Sequence, residues 1–398
     1  MKPIALVIPW YGDDIRGGAE QECNYLAHAL QDAGADVEVL TTCVKDASAD
    51  RGTNTIKPGL YTESGIKVRR FKVRKRDESA FIKSNSKIYN NENFTLDDEA
   101  VYFKEDINSP DMYEYIRNNK DNYRCFIFIP YMYGVTFNGS TECEEKSVII
   151  PCLHDESYAY MNVLKEKMPK FKGMIFLSKP ESDLAHSLYD ISNTKTAILG
   201  GGLDTEWYAD CKPDDFKNKY KIQDDFILFA GRKDAGKKAD QLRDFFINYK
   251  IRNPESTLKL VYIGGGDLAI PQEYKNEIFD LGFVSVEDKH DALAAAKFLC
   301  NPSYFESFSI VIMESWVAKR PVLVSEHCEV TKNFCLETNG GLYYGNYQEF
   351  ELCINYLLEN SDIADAMGEN GFEYVMNNFT HEKIAEKYLE FINSLKFV

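Results

Sequence analysis

The chain of 398 residues lacks any run that approaches the roughly 18 consecutive apolar residues of a membrane-spanning helix. Its opening apolar segment, residues 4–8, is too short for the core of a secretory signal peptide, and no small-residue cleavage site follows it. These absences predict a soluble protein that is located in the cytoplasm.

Paired cysteines are also missing, and positive charge is scarce. The ten cysteines include no Cys-x2-Cys and no Cys/His cluster at the spacing of a zinc site. Several of them, such as Cys125 and Cys300, lie in apolar runs, which is typical of buried, reduced thiols. The formal net charge is −17, whereas proteins that bind nucleic acid are usually basic. The sequence therefore predicts no metal site and no nucleic-acid partner.

What the chain does contain is a regular alternation of short apolar runs and helical patterns, which predicts an α/β fold with parallel sheets. Strands are predicted at residues 4–8, 37–41, 125–129, 147–150, 173–177, 196–199, 226–230, 259–263, 278–281, 298–300 and 322–324. Helices are predicted at residues 19–33, 112–118, 180–189, 238–249, 286–296, 308–318, 347–359, 363–377 and 381–395.

The length predicts two domains, each large enough for its own core. A glycine-rich turn at residues 200–202 places the boundary between residues 1–204 and 205–377, and the helix at 378–398 is expected to pack back on the first domain. The region 75–120 is rich in Asn, Asp and Glu, and we expect an irregular insertion there. Two Rossmann-like halves also describe periplasmic binding proteins, so the architecture does not decide the function.

Two acids at a fixed spacing, Glu306 and Glu314, are the most informative feature of the sequence. Glu306 follows an apolar strand and would lie in the loop at the mouth of a parallel sheet, and Glu314 would lie about two turns further along the next helix. Between them, the backbone N–H groups of a helix N-terminus would favour phosphate. The residues that carry these groups are Ser307, Phe308, Ser309 and Ile310. A loop acid and an unrelated solvated helix acid are the alternative, because such spacings arise by chance in an acidic chain.

This segment resembles the E-x7-E motif of the retaining glycosyltransferases of family 4, which have the GT-B fold of two Rossmann-like domains with parallel sheets facing across a cleft. Four further segments resemble the same family in the expected order. The resemblance implies an enzyme that moves a sugar, with retention, from a nucleotide diphosphate sugar to a glycan, a lipid-linked glycan or another hydroxyl acceptor, as in polysaccharide biosynthesis. It also implies no metal cofactor, since no Asp-x-Asp occurs in the chain and cationic side chains and helix dipoles would take that role.

Two of the further segments contain glycine turns. Gly17 and Gly18 stand where the family has a G-G-x-E turn, and they would let the donor's phosphate or sugar approach the backbone closely. Residues 200–208 resemble the family's segment at the domain junction, which is also a structural hinge.

The third segment is a basic loop after a strand. Arg232 and Lys237 resemble the pair that grips the donor diphosphate, in a loop that begins at Gly231. A solvated basic loop is the alternative. The same segment approaches a Walker A loop, but Lys238 stands where that motif needs Ser or Thr to hold magnesium.

The fourth segment contains Gly265, and the backbone at Phe283 and Val284 would hold the base of the donor. The resemblance further implies that Glu314 binds the ribose hydroxyls and that Glu306 contacts the transferred sugar. His154 follows a buried strand where the family often has a histidine facing that sugar, although a lone histidine is more often structural.

Two residues depart from the family's usual E-G-F-G, because Ser307 and Ser309 stand in place of both glycines. Their hydroxyls would donate to phosphate. Three other functions share the same nucleotide pocket and stay open: a GT-B epimerase, a hydrolase or phosphorylase, and a non-catalytic subunit that binds a nucleotide sugar.

The acceptor is expected on the first domain. Tyr131 and Tyr133 follow a buried strand and would stack on sugar rings, although they suit a core equally well. The segment 67–76 has seven basic residues in ten, among them Arg69, Arg70 and Arg74. Its alternation predicts a strand with a basic face that contacts an anionic acceptor or the inner membrane surface. An edge strand protected by charge is the alternative.

Overall fold

The computed structural model describes residues 2–12 and 17–397, which form two compact units. One unit contains residues 1–202 together with 381–398, and the other contains residues 203–380. Within the described ranges, no helix combines the length and the apolar character that spanning a membrane requires.

The first unit is built on a sheet whose described residues form eight strands in the order β3-β4-β2-β1-β5-β6-β7-β8. All neighbouring pairs are parallel except β3 and β4. The strands are β1 Ile4–Val7, β2 Val37–Thr42, β3 Gly59–Glu63, β4 Ile66–Phe71, β5 Cys125–Phe128, β6 Ser147–Ile149, β7 Gly173–Phe176 and β8 Lys195–Ile198. The central strands are buried, as expected for parallel strands that are covered on both faces.

The described part of the first unit contains eight α-helices. They are α1 Gly18–Asp32, α2 Glu78–Tyr89, α3 Leu96–Glu105, α4 Pro110–Asn119, α5 Gly134–Gly139, α6 Asn162–Lys167, α7 Lys179–Leu188 and, at the end of the chain, α15 His381–Ser394. The terminal helix α15 packs against α1 and buries one apolar face, and its Tyr388 hydroxyl donates to the carbonyl of Gly200 at 2.9 Å.

The expectation of an irregular insertion at 75–120 was wrong, because this region forms α2, α3 and α4. Each helix begins at a residue that satisfies an otherwise unpaired backbone N–H group. The Asp77 side chain accepts from the amide of Ala80, and Thr95 forms a reciprocal capping box with Asp98. Helix α4 has Ser109 as its N-cap and Pro110 at its first position. The polar composition of the region reflects solvated helix faces.

The second unit has a parallel sheet whose described strands follow the order β11-β10-β9-β12-β13-β14. This is the strand order of the doubly wound dinucleotide-binding fold, in which the chain reverses direction between the first and fourth strands. The strands are β9 Phe226–Ala230, β10 Lys259–Ile263, β11 Ile278–Asp280, β12 Phe298–Asn301, β13 Val322–Ser325 and β14 Gly341–Tyr344.

The helices of this unit cover both faces of the sheet and enclose an aromatic-rich core. They are α8 Pro213–Tyr220, α9 Ala239–Arg252, α10 Val286–Ala295, α11 Ile310–Val317, α12 Glu329–Thr338, α13 Tyr347–Glu359 and α14 Ser361–Asn378. In such a sheet the crevice beyond the carboxyl ends of β9 and β12 is the position at which ligands bind. The fold therefore directs attention to the loops that follow these two strands.

Candidate functional site

Backbone hydrogen bonds join the loops that follow β9, β10, β11 and β12. The amide of Lys233 donates to the carbonyl of Gly265 at 2.7 Å, and the amide of Gly264 donates to Gly282 at 2.7 Å. The amide of Tyr304 donates to Gly236 at 3.2 Å and so ties the loop after β12 to the loop after β9. The four loops consequently form one continuous rim at the carboxyl edge of the sheet.

The glycine run after β10 is required by this close approach. Gly264 has φ of +118°, and a Cβ atom there would lie 2.1 Å from the carbonyl oxygen of Gly231. The buried side chain of Lys233 holds the same contact from the other side, because its Nζ donates to the Gly264 carbonyl at 2.6 Å and pairs with Asp280 at 2.8 Å. Lys233 therefore holds the loop in position, and it was not among the predicted site residues.

Lys237 and Glu306 meet across the point where the strand order reverses. The Lys237 ammonium donates to Oε1 of Glu306 at 2.7 Å. Burial raises the pKa of Glu306, but the charge and hydrogen bond of Lys237, with hydrogen bonds from Ser303 and Asn301, outweigh it and bring the pKa below its ordinary value. The site therefore holds an ionised carboxylate beside a cation.

Arg232 does not join this pair. Its side chain is 72% exposed, and its Nε lies 3.5 Å from Asp234 in the same loop. The predicted basic pair is therefore divided in the structure: Lys237 is engaged with Glu306, and Arg232 extends into solvent at the rim.

The loop from Glu306 to the start of α11 presents unpaired backbone donors. None of the amides of Ser307, Phe308, Ser309 and Ile310 donates a hydrogen bond within the described part of the chain. Unpaired amides at the start of a helix bind anions well, because the helix dipole adds partial positive charge there. The helix begins at Ile310, two residues later than predicted.

Glu314 lies on α11, about one turn after its start rather than two turns after the loop, and it is buried. Lys289 of α10 donates to its Oε1. Sequence reasoning missed Lys289, since its contact depends on how α10 packs on α11.

Phe283 lies over the glycine run. A Cβ on Gly265 would lie 2.5 Å from the ring of Phe283, whose side chain is 67% exposed. Gly265, Phe283 and the adjoining Val284 are therefore neighbours at one end of the rim, as a common binding role requires.

In the first unit, Gly17 is the N-cap of α1 and Gly18 is its first residue, with open space where a Gly18 Cβ would lie. The indole of Trp10 donates to the carboxylate of Glu20 in the same turn. His154 follows β6, and its Nδ1 lies 3.4 Å from Oε1 of Glu156.

Two arginines of the expected basic face of segment 67–76 are neutralised by carboxylates on neighbouring strands. Arg70 is only 4% exposed and pairs with both oxygens of Glu63 on β3, at 2.8 and 2.9 Å. Arg69 donates to Glu38 on β2 at 2.7 Å. This corrects the prediction that these two arginines reach an acceptor or a membrane.

Three other acceptor candidates have different positions. Tyr131 is 1% exposed and belongs to the core, which corrects its predicted contact with an acceptor. Tyr133 packs edge-on against Trp10 at 5.0 Å. Arg74 pairs with Glu105 at 3.1 Å and lines a cavity of about 310 Å³ within the first unit. The remaining lining residues are Ala100, Phe103, Lys104, Asn108, Pro110, Tyr113, Phe137, Asn138 and Val163.

Comparison with known proteins finds a family match within the second unit. Residues 212–374 match the model of the family described as glycosyl transferases group 1. D-inositol 3-phosphate glycosyltransferase from Corynebacterium kroppenstedtii is 27% identical over 161 residues, 37% of this chain and 36% of that protein. An uncharacterized glycosyltransferase from Methanocaldococcus jannaschii is 24% identical over 234 residues, 54% of this chain and 58% of that protein. The chain thus spans about a third and just over half of the length of these two relatives.

Solved structures resemble the chain over almost its whole length. Sucrose-phosphate synthase from Thermosynechococcus elongatus has a TM-score of 0.71 at 16% identity, covering 99% of both chains. HepE from Anabaena, in complex with UDP and glucose, has a TM-score of 0.71 at 15% identity, covering 99% of this chain and 100% of that one. These neighbours have the GT-B fold, which confirms the predicted fold class. Residues 212–374 therefore match the model of the glycosyl transferases group 1 family, within a chain that has the GT-B fold.

Proposed function

We propose that this chain is a glycosyltransferase that takes a sugar from a nucleotide diphosphate sugar, with UDP as the nucleotide, and passes it to a hydroxyl acceptor. The observation that carries the proposal is the junction of Lys237, Glu306 and the unpaired amides that begin α11. A cation, an ionised carboxylate and several N–H donors at one loop suit a ligand that joins a diphosphate to a sugar.

The roles of the residues follow from their chemistry. The diphosphate would accept from the amides of residues 307–310 and from the ammonium of Lys237. Those groups would stabilise the negative charge that grows on the leaving phosphate as its bond to the sugar breaks. Exposed Arg232 would reach the same phosphates only by reorienting its side chain, so we assign it a weaker contribution than Lys237.

Both glutamates would contact hydroxyl groups of the donor. Glu306 would accept from hydroxyls of the transferred sugar, and its lowered pKa keeps it ionised for that purpose at neutral pH. Glu314 would accept from the ribose hydroxyls, sharing its carboxylate with Lys289. The base would then lie at the end of the rim formed by Gly265, Phe283 and Val284.

The choice of UDP draws on the structural neighbours. HepE from Anabaena has been solved with UDP and with UDP-glucose. Retention of configuration and independence of metal come from the family resemblance alone. In a retaining transfer, the acceptor oxygen attacks the anomeric carbon on the face that the diphosphate leaves, and the acceptor proton passes to a phosphate oxygen.

A thermal-shift screen with UDP, GDP, ADP and their sugars tests the proposal in buffer that contains EDTA. We expect stabilisation by UDP and by at least one UDP-sugar, followed by transfer to an added sugar acceptor. Anomeric proton couplings of the product, measured by NMR, then report retention or inversion. Release of free sugar without an acceptor would favour a hydrolase, and tight binding without turnover would favour a non-catalytic subunit.

For the acceptor, we propose the cavity that Arg74 lines, since it places the cations of Arg74 and Lys104 beside the rings of Phe103 and Phe137. Both cations pair with Glu105, Arg74 at 3.1 Å and Lys104 at 3.4 Å, so an acceptor sugar that bears a phosphate or carboxylate would share them with that carboxylate. Lys104→Glu should raise the KM for such an acceptor and leave the KM for the donor unchanged. If wild type and Lys104→Glu have the same KM for the acceptor, this cavity is excluded.

A role for His154 stays a prediction, which the kinetics of His154→Ala test. Peripheral association with a membrane also stays a prediction, which vesicle flotation with anionic lipid tests.

A further inference from the structure

One side chain, that of Asn301, connects three points of the loop that carries Glu306. Asn301 is the last residue of β12 and is buried. Its Nδ2 donates to the hydroxyl of Ser309 at 2.9 Å and to Oε1 of Glu306 at 3.3 Å. Its Oδ1 accepts from the amide of Ser303 at 3.0 Å. Every hydrogen-bonding atom of this amide is therefore used inside the loop.

The contact to Ser309 stabilises an unfavourable backbone conformation at that residue. Ser309 has φ of +65° and ψ of +72°, a left-handed conformation that glycine adopts readily and that other residues adopt at a cost. Its hydroxyl does not cap α11 and instead accepts from Asn301. The buried amide thus holds in place a turn for which this chain has no glycine.

The contact to Glu306 concerns the orientation of a carboxylate. Lys237, in the loop after β9, and Asn301, at the end of β12, both donate to the same oxygen, Oε1. A carboxylate oxygen that is held from two directions has a more fixed orientation than one held by a flexible lysine, and a hydrogen bond from Ser303 adds to this restraint. Lys237 supplies most of the charge compensation, and Asn301 supplies direction.

We propose that Asn301 is a positioning residue that orients the Glu306 carboxylate and couples it to the left-handed turn at Ser309. Through that turn it also sets the direction of the amides that begin α11. The inference rests on the proposed function, because it assigns Asn301 to the sugar end of the donor site. Asn301 would then stabilise Ser309 at the position where the family that this chain resembles has glycine.

The two contacts of Asn301 are separable by experiment. Asn301→Ala is made in the wild-type chain and again in a Ser309→Gly background, in which the turn no longer needs the hydrogen bond. We expect Asn301→Ala to lower Tm in the wild-type chain and to lower it less in the Ser309→Gly background, where only the contacts to Ser303 and Glu306 are lost. In both backgrounds we expect kcat to fall about tenfold, with less than a threefold change in the KM for the donor, because the lost contact orients a group that acts in the transition state.

Asn346→Ala is the matched control. Asn346 caps α13 in the same unit and bonds to Glu349, so its loss should lower Tm without changing kcat. Unchanged kcat in Asn301→Ala would overturn the inference. So would a kcat that recovers together with Tm in the Ser309→Gly background, since that result identifies a purely structural role. Wild-type protein that turns over no nucleotide sugar would instead contradict the proposed function itself.

Discussion

The ammonium of Lys237 and the carboxylate of Glu306 lie 2.7 Å apart, although 68 residues separate them along the chain. One follows β9 and the other follows β12, the two adjacent strands between which the sheet reverses its order. Their contact is therefore a direct consequence of the doubly wound topology.

Lys237→Ala should lower kcat about 10²–10³-fold, because it removes a fixed positive charge from the position at which the leaving group gains negative charge. Steady-state kinetics with the donor identified by the binding screen measure the effect. The matched control is Lys219→Ala, which breaks the Lys219–Asp288 pair of the same unit and should leave kcat unchanged. Equal activity of the two variants would exclude the assigned role of Lys237.

Removing the cation of Lys237 by Lys237→Met should also change how the free energy of unfolding depends on acid pH. With Lys237 present, the pKa of Glu306 lies below its ordinary value, so this carboxylate stabilises the fold above pH 4.5 and loses that contribution as the pH falls through its folded pKa. In Lys237→Met, burial acts without the cation and raises the pKa of Glu306. Urea unfolding at about pH 7 and pH 4 should therefore show a larger stability difference between wild type and variant at the higher pH. A difference that is the same at both values would contradict the pairing.

Phe283→Ala should raise the Kd for UDP about tenfold, roughly 1.4 kcal/mol, since the ring that lies over Gly265 is expected to stack on the base. Because the side chain is largely exposed, the loss of Tm should be small. Leu352→Ala removes a similarly exposed side chain from α13, 68% accessible, and serves as the control for isothermal titration calorimetry. If Phe283→Ala and Leu352→Ala bind UDP with the same affinity, the base does not stack on Phe283.

A buried carboxyl group in the first unit should lower the free energy of unfolding as the pH rises from 4.5 to about 8. Burial raises the pKa of Glu22 on α1 to about 8, from an ordinary value of 4.5. The folded state therefore binds more protons between these values, and the stability that this group contributes is full below pH 4.5 and is lost as the pH rises to about 8. Glu22→Gln should raise Tm more at pH 8 than at pH 5. Glu114→Gln, on the exposed face of α4, should show no such dependence; equal shifts at both pH values would show that Glu22 does not titrate in this window.

Much of the candidate site was predictable from the sequence, for a physical reason. Glu306, Lys237 and Gly265 each follow a buried strand, and the carboxyl ends of parallel strands meet at one edge of a sheet. Strand patterns placed each residue after a strand, and the resemblance to the family implied that the three belong to one site. Helices α2 and α3 were missed because their surfaces are polar, although the caps Asp77 and Thr95 are visible in the sequence, whereas α4 corresponds to the helix predicted at 112–118.

Contacts that depend on register or helix packing could not be predicted. The basic segment 67–76 looked like a charged face because its partners Glu38 and Glu63 lie on other strands, whose alignment with β4 appears only in the fold. Lys289 reaches Glu314 only through the packing of α10 on α11. A signal for Asn301 did exist, since a polar residue that ends a buried strand directly before a loop acid has to find partners in that loop.

The most direct test of the account is isothermal titration calorimetry of UDP into wild-type protein, Lys237→Ala and Lys219→Ala, all in EDTA. The account predicts measurable binding to wild type without metal, an affinity at least tenfold weaker in Lys237→Ala, and wild-type affinity in Lys219→Ala. UDP that binds with equal affinity to all three proteins would show that these loops do not hold a nucleotide diphosphate. The same conclusion would follow if wild-type protein bound none of UDP, GDP and ADP.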